Sequence, residues 1–446
     1  MATILKVFAS AATAALRLTA ALTLTAALTL TAASPAVAAD VRLSQVTARD
    51  GAAFALTPDF SLTTYANALA TEIGADSVGA VVDTANRATT ACTGSQLQAQ
   101  PQYYARTDIP LQPAQIISSS DRFCWNAEDS AVRHWIPQGI TGSSDADDDH
   151  LWADDRVIVV AWHYSATEAG TSYDKGARIS VVDRATGRYR HVLLVEPTKT
   201  ATPNFKAVPI HAGGIAWLGN YLYVTDTGYG LRVFDMRKFL WVDAADGGLV
   251  GRHGGVYKGH GFSYVLPQVG HYRQATTQSS CAPATSSLCF SYVTLDRSTA
   301  PDTLVTGEYR AGVDTANLNV AGGRVVRYPV DASTRLLTLT AGKSVPFDAV
   351  TIPKSNVQGA QTWNGTYYLG RSSADKHSFF FTGPRDATMR TWSWAIGGED
   401  LYHEHSGTGA TIGAGKVWTA TEHVVDPNGD VIDKRVVFAV PLSETA

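Results

Sequence analysis

The strongest constraint on the fold is a short strand–turn–strand–turn–strand unit that recurs along the chain. Its clearest copy is His211-Ala-Gly-Gly-Ile-Ala-Trp217, Leu-Gly-Asn, Tyr221-Leu-Tyr-Val-Thr-Asp226, Thr-Gly-Tyr-Gly and Leu231-Arg-Val-Phe-Asp235. The apolar runs are rich in β-branched and aromatic residues, and Gly/Asn turns separate them. Comparable units open near Pro137, Tyr264, Asn356 and Asp400. A single meander sheet cannot bury both of its faces. Several stacked around an axis can, and they leave only short edges. The expected fold is therefore all-β: a β-propeller, with five blades from the count of units. A sixth blade is possible if Val78–Asp83 and the segment from Arg122 to Trp135 supply strands. A β-sandwich with long insertions is the other architecture that fits. Gly139, Gly214 and Gly359 are expected on inner strands, where crowding at the axis excludes a larger side chain.

The ends of the chain divide the rest. Lys6 and Arg17 precede an Ala/Leu/Thr run, and Ser34-Pro35-Ala36-Val37-Ala38 supplies small residues of the cleavage-site kind. Residues 1–38 thus read as a secretory signal peptide. Residues 39–130 read as an N-terminal extension packed on the propeller. It contains an expected helix over Leu62–Ile73, with Leu62, Tyr65, Leu69 and Ile73 on one face. Residues 131–446 form the propeller domain. No later run is apolar enough to cross a membrane, so no membrane association is expected after signal cleavage. The net charge is −4 and no Lys/Arg cluster stands out, which argues against nucleic acid as a partner. An extracellular location makes the four cysteines candidates for two disulfides. Cys92–Cys124 and Cys281–Cys289 are the favoured pairs, because each closes a local polar loop.

The unit at His211, together with Pro137-Gln-Gly-Ile140 and Asn356-Val-Gln-Gly359, resembles uncharacterised secreted β-propeller proteins of actinobacteria in its blade pattern. Five-bladed propellers include arabinanase- and fructosidase-like glycosidases, which set three carboxylates around the axis. This chain departs from that arrangement: Gln138, His211, Gln268 and Gln358 stand at the unit starts, and acids are obvious only in the fifth unit. Propeller polysaccharide lyases use His, Tyr and Arg, a closer match in residue type that rests on fold analogy.

Residues at the first strand of each unit converge on the axis of a propeller. His211, Gln138, Gln358, His403 and His405 are therefore expected to face one shared polar cavity, with Gln138, Gln358 and His403 binding ligand. Either His211 or His405 would act as a general base if the protein is an enzyme. The alternative is that these side chains satisfy buried backbone groups. Gln and neutral His both donate and accept, which suits a hydroxyl-rich ligand. The expected function is binding of an extracellular glycan or small molecule, with a polysaccharide lyase or glycoside hydrolase as the alternative. Glu422-His423 is a further candidate acid/base pair, and His163 and Arg371 stand near the same loops. The acid run Asp145-Ala-Asp-Asp-Asp149 could hold calcium through Asp145, Asp147, Asp148 and Asp149, or form a solvated hairpin tip.

Overall fold

A computed structural model describes residues 42–45, 53–100, 117–152, 154–277, 281, 287–311, 323–374, 377–423 and 434–442. The expected signal peptide lies outside these residues. The described residues form five antiparallel meanders of four principal strands each. The first is Trp135–Gly142, Val157–Tyr164, Ala177–Asp183 and Arg188–Pro197. The second is Ile215–Leu218, Tyr221–Asp226, Gly230–Asp235 and Tyr264–Gln274. The third is Phe290–Asp296, Thr303–Glu308, Arg324–Pro329 and Asp348–Thr351. The fourth is Val357–Trp363, Thr366–Arg371, Ser378–Pro384 and Arg390–Trp394. The fifth is Gly398–Ser406, Gly413–Thr421 and Val437–Pro441, completed by Arg122–Phe123 from the N-terminal part of the chain. The first strand of each meander packs on the first strands of its two neighbours, so the five close a ring. This is the β-propeller arrangement.

Two readings of the sequence are corrected. Val78–Asp83 is a helix, not a strand. The Ser77 hydroxyl accepts the Ala80 N–H at its start, and Val78, Val81 and Val82 are buried at helical spacing, so capping and one-sided burial override the β preference of valine. Tyr264–Gln274 does not open a third unit. It closes the second sheet as its outer strand and also pairs in parallel with Arg188–Pro197. Its length and the unbroken burial of its first seven residues read alike for an inner or an outer strand. The helix Leu62–Ile73 forms as expected, with Leu62, Ala66 and Leu69 buried.

The axis is crowded. A Cβ on Gly139 would sit 2.7 Å from the Gly214 carbonyl carbon, and one on Gly214 would sit 2.2 Å from the Val293 nitrogen. A Cβ on Gly359 would meet Leu401 at 2.7 Å. Glycine is thus required where inner strands touch backbone to backbone. Asp400, fully buried, lies at this point. Its Oδ2 accepts the N–H groups of Ile140 at 3.3 Å and Ile215 at 3.0 Å, and the amides of Leu401 and Val293 are also directed at it. One carboxyl therefore gathers backbone donors from four of the five inner strands.

Both expected disulfides are present, Cys92–Cys124 and Cys281–Cys289. The first spans 32 positions and ties the 92–124 segment to the strand that completes the fifth sheet. Loop closure of this length constrains the unfolded chain by about 4 kcal/mol. A Cys92→Ser/Cys124→Ser variant should lose about that much in urea unfolding. An unchanged midpoint would contradict this role.

Candidate functional site

Inner strands run the same way around the axis. Trp217 N–H donates to Thr141 Oγ1, Thr362 Oγ1 to Asp296 and Gln361 Nε2 to the Leu295 carbonyl, and the Trp363 ring meets His403. Their starts therefore share one rim. The ends of their partner strands return to that rim, bringing His163, Tyr309, Arg371 and Glu422 beside residues that open the inner strands.

The centre of this rim is a pair of carboxyl groups. Glu399, 1% exposed, follows the first residue of Gly398–Ser406. Glu422 follows the last residue of Gly413–Thr421, the strand paired with it. The two carboxyls lie within hydrogen-bonding reach, and burial followed by the charge of Glu422 pushes the Glu399 pKa well above the carboxylate range. Both causes favour the protonated form of Glu399, the form that can donate. Gln138 Nε2 donates to Glu422 Oε2 at 2.8 Å, and Gln358 Nε2 to Glu399 Oε1 at 3.3 Å. Glu422 also has His423 Nε2 at 3.4 Å.

Tyr309 borders the pair. Burial, then Glu399 and Glu422, raise its phenol pKa, and Arg371 opposes the shift. Asn356 Nδ2 donates to Tyr309 Oη at 3.2 Å. His211 is solvent-exposed and lies 4.4 Å, ring to ring, from half-buried His163. Desolvation by the protein packed around its ring lowers the His211 pKa, against Glu422, which raises it. Burial, His211 and Arg435 lower His163 to about 3, so the His163 imidazole is neutral near pH 7. Ala212 and Asn356 both have left-handed backbone, φ 52° and 62°. Strain of this kind in non-glycine residues is tolerated where surrounding structure enforces it, often around a site.

Three expected site residues, Gln138, Gln358 and His211, meet at this rim. His403 and His405 lie farther along their strand, toward the other rim. His403 Nε2 faces the Ala414 carbonyl and its ring packs on Trp363 at 4.5 Å. His405 Nδ1 bonds Ser144 Oγ at 2.7 Å, with its ring 4.4 Å from His150. Burial lowers both pKa values, to about 4 and about 3. Gln268, on an outer strand, accepts from Arg232 instead. The acid run does not gather around one ion: Asp145 accepts from Thr141 Oγ1, Asp148 pairs with Arg297, and Asp149 accepts the Leu151 N–H. Among the described residues no group of three His, Cys, Asp or Glu is placed to hold a metal.

Glu399 and Tyr309 were not legible as candidates. Glu399 sits two residues after Gly397 at the mouth of a unit, which resembles a turn acid. Tyr309 follows a strand whose far partner begins outside the local motif. The one available signal was position: Glu399 is the counterpart of Gln138 and Gln358 at the start of a first strand.

No protein-family model matches the chain, and no curated protein matches it. Among solved structures, the chain is similar to the RS223 β-xylosidase at 10% identity and a TM-score of 0.30, over 70% of this chain and 94% of that one. A GH43_1 enzyme from Xanthomonas citri gives 11% identity and 0.31, over 70% and 89%. The N-terminal domain of Nup159 gives 10% and 0.22, over 71% and 62%. Likeness of this degree assigns neither a family nor an activity.

Proposed function

We propose that the rim cluster is an acid–base site for an extracellular saccharide, and that the protein is an exported glycoside hydrolase. The observation that carries this reading is the buried Glu399 acid held against Glu422 among neutral amides and imidazoles. Glycoside cleavage needs one carboxyl that donates a proton to the leaving oxygen and a second that works as a base or nucleophile. Glu399 is the carboxyl whose protonated form burial and Glu422 favour. Glu422 is the second carboxyl, and Gln138, Gln358 and Asn356 supply donors and acceptors for sugar hydroxyls. An entering sugar has to part the two carboxyls, because working pairs stand about 5 Å or more apart. Their closeness favours a second reading, a pocket that grips a glycan without cleaving it. Two disulfides and the N-terminal signal pattern support export.

The test is reducing-sugar release from a panel of polysaccharides, run beside calorimetric binding. Glu399→Gln should lower turnover by about 100-fold or more with binding retained. Wild-type activity should fall as the pH rises through the elevated Glu399 pKa, since the acid is lost. Binding without cleavage would select the second reading. Neither binding nor cleavage, or full turnover in Glu399→Gln, would overturn the proposal.

A further inference from the structure

We infer that a second pocket on the same rim holds a carboxylate-bearing sugar unit of the substrate chain. The inference rests on the saccharide reading above but on different residues. The pocket has a volume of about 260 Å³, enough for one sugar ring, and is lined by Glu196, Asp226, Tyr229, Arg232 and Arg273 among others. Arg232, His271 and Arg273 come from the third and fourth strands of the second sheet, and Asp226 ends its second strand. Thr225 N–H donates to the Gly214 carbonyl, and Gly214 N–H returns to Thr225 Oγ1. Asp226 of the pocket is thus one residue from the segment that carries His211.

The charges decide what the pocket takes. Its acids are already matched. Arg232 Nε donates to Asp226 at 2.7 Å, and its Nη1 to Glu196 at 2.7 Å and Gln268 at 2.8 Å. Glu196 also pairs with Lys206 at 3.0 Å. Asp59 accepts the Ser61 N–H at 2.8 Å, has His271 at 3.9 Å and is held below the usual carboxylate range, chiefly by Ser61. The uncommitted capacity is cationic. Arg273 is exposed, and its side chain makes no hydrogen bond or ion pair among the described residues. Its guanidinium lies 5.5 Å over the ring of Tyr229, which is 44% exposed. Stacking on an aromatic ring fixes the plane of a guanidinium and leaves its edge N–H groups free, a geometry that takes a carboxylate in bidentate fashion. Lys199 lies on the same wall, where it bonds the Ser61 hydroxyl at 2.8 Å and its charge acts on Asp59. A neutral sugar would leave the Arg273 edge unused. A uronate would engage it.

Calorimetry on the full chain tests this with tri-galacturonate, free galacturonate and neutral xylotriose as probes. Arg273→Gln should weaken tri-galacturonate by about tenfold and leave xylotriose unchanged, and Arg273→Lys should recover part of the loss. Competition by free galacturonate would place the carboxylate itself in the pocket, whereas none would place a longer stretch of the polymer there. The inference fails if wild type does not bind tri-galacturonate, or if Arg273→Gln binds it as tightly as wild type does. Retained Arg273-dependent binding with no polysaccharide cleaved would overturn the hydrolase reading and leave this pocket standing.

Discussion

Asp400→Ala is expected to lose about 4 kcal/mol or more in stability, because at least two inner-strand N–H groups would be buried without an acceptor. Ile140 and Ile215 donate to its Oδ2, with the amides of Val293 and Leu401 nearby. Each orphaned donor costs about 1–3 kcal/mol, and a domain holds only about 5–15 kcal/mol in all. Burial raises the Asp400 pKa while these backbone donors lower it. The donors explain why a polar residue is kept at the axis at all. Asp400→Asn keeps one acceptor oxygen of similar shape, so it should fall between wild type and alanine. Urea unfolding followed by circular dichroism reads the series. A wild-type midpoint for Asp400→Ala would show that the axis does not depend on this carboxyl.

A second large effect is expected at Asp129, buried in the helix Ala127–Ala131. Its carboxylate meets Arg178 at 3.2 Å, Arg87 at 3.0 Å, Tyr189 Oη at 2.6 Å and His191 Nε2 at 3.1 Å. Arg178 is sealed between rings, 4.5 Å from Trp135 and 4.8 Å from Trp162. Burial and Arg178 lower His191 to about 3, so it stays neutral and donates, and the guanidinium groups balance the carboxylate. Asp129→Asn leaves Arg178 buried without its counter-charge and should cost about 3–5 kcal/mol at pH 7. Burial works against ionisation of Asp129, but its hydrogen-bonded and charged partners prevail and depress its pKa well below the ordinary value. A depressed carboxylate stabilises the fold above its unfolded pKa of about 3.9 and loses that contribution as the pH falls below it. The gap between wild type and Asp129→Asn should therefore narrow from pH 7 to pH 3. A gap that stays constant would assign the loss to shape, not charge.

How far the site was legible follows from where each residue sits in the repeat. Gln138, His211 and Gln358 stand at first-strand starts, and the common direction of the inner strands turns that shared position into a shared place. His403 and His405 belong to an inner strand too, but they come several residues after Glu399. At roughly 3.3 Å of rise per residue that distance takes them away from the start rim and into contact with Ser144 and Ala414. The two-residue spacing of the histidines described their mutual alignment correctly and carried no information about depth. Glu399 carries no signal of its own, because a buried acid at a strand start looks, in one dimension, like any turn carboxylate.

What the sequence determined by itself is the local grammar: short β-branched strands, Gly/Asn turns, the helix Leu62–Ile73, two local disulfides and the glycines needed where strands touch. These depend on neighbours a few residues away, or on composition. Tertiary structure alone decided that Tyr264–Gln274 closes the second sheet, that Arg122–Phe123 completes the fifth, and that Asp400 collects the axial amides. It also decided that Glu399, Glu422 and Tyr309 meet. Such contacts join positions far apart in the chain, and closing a ring of sheets is a global condition. Only once every sheet is in register do burial and the like charge of Glu422 favour the protonated form of Glu399.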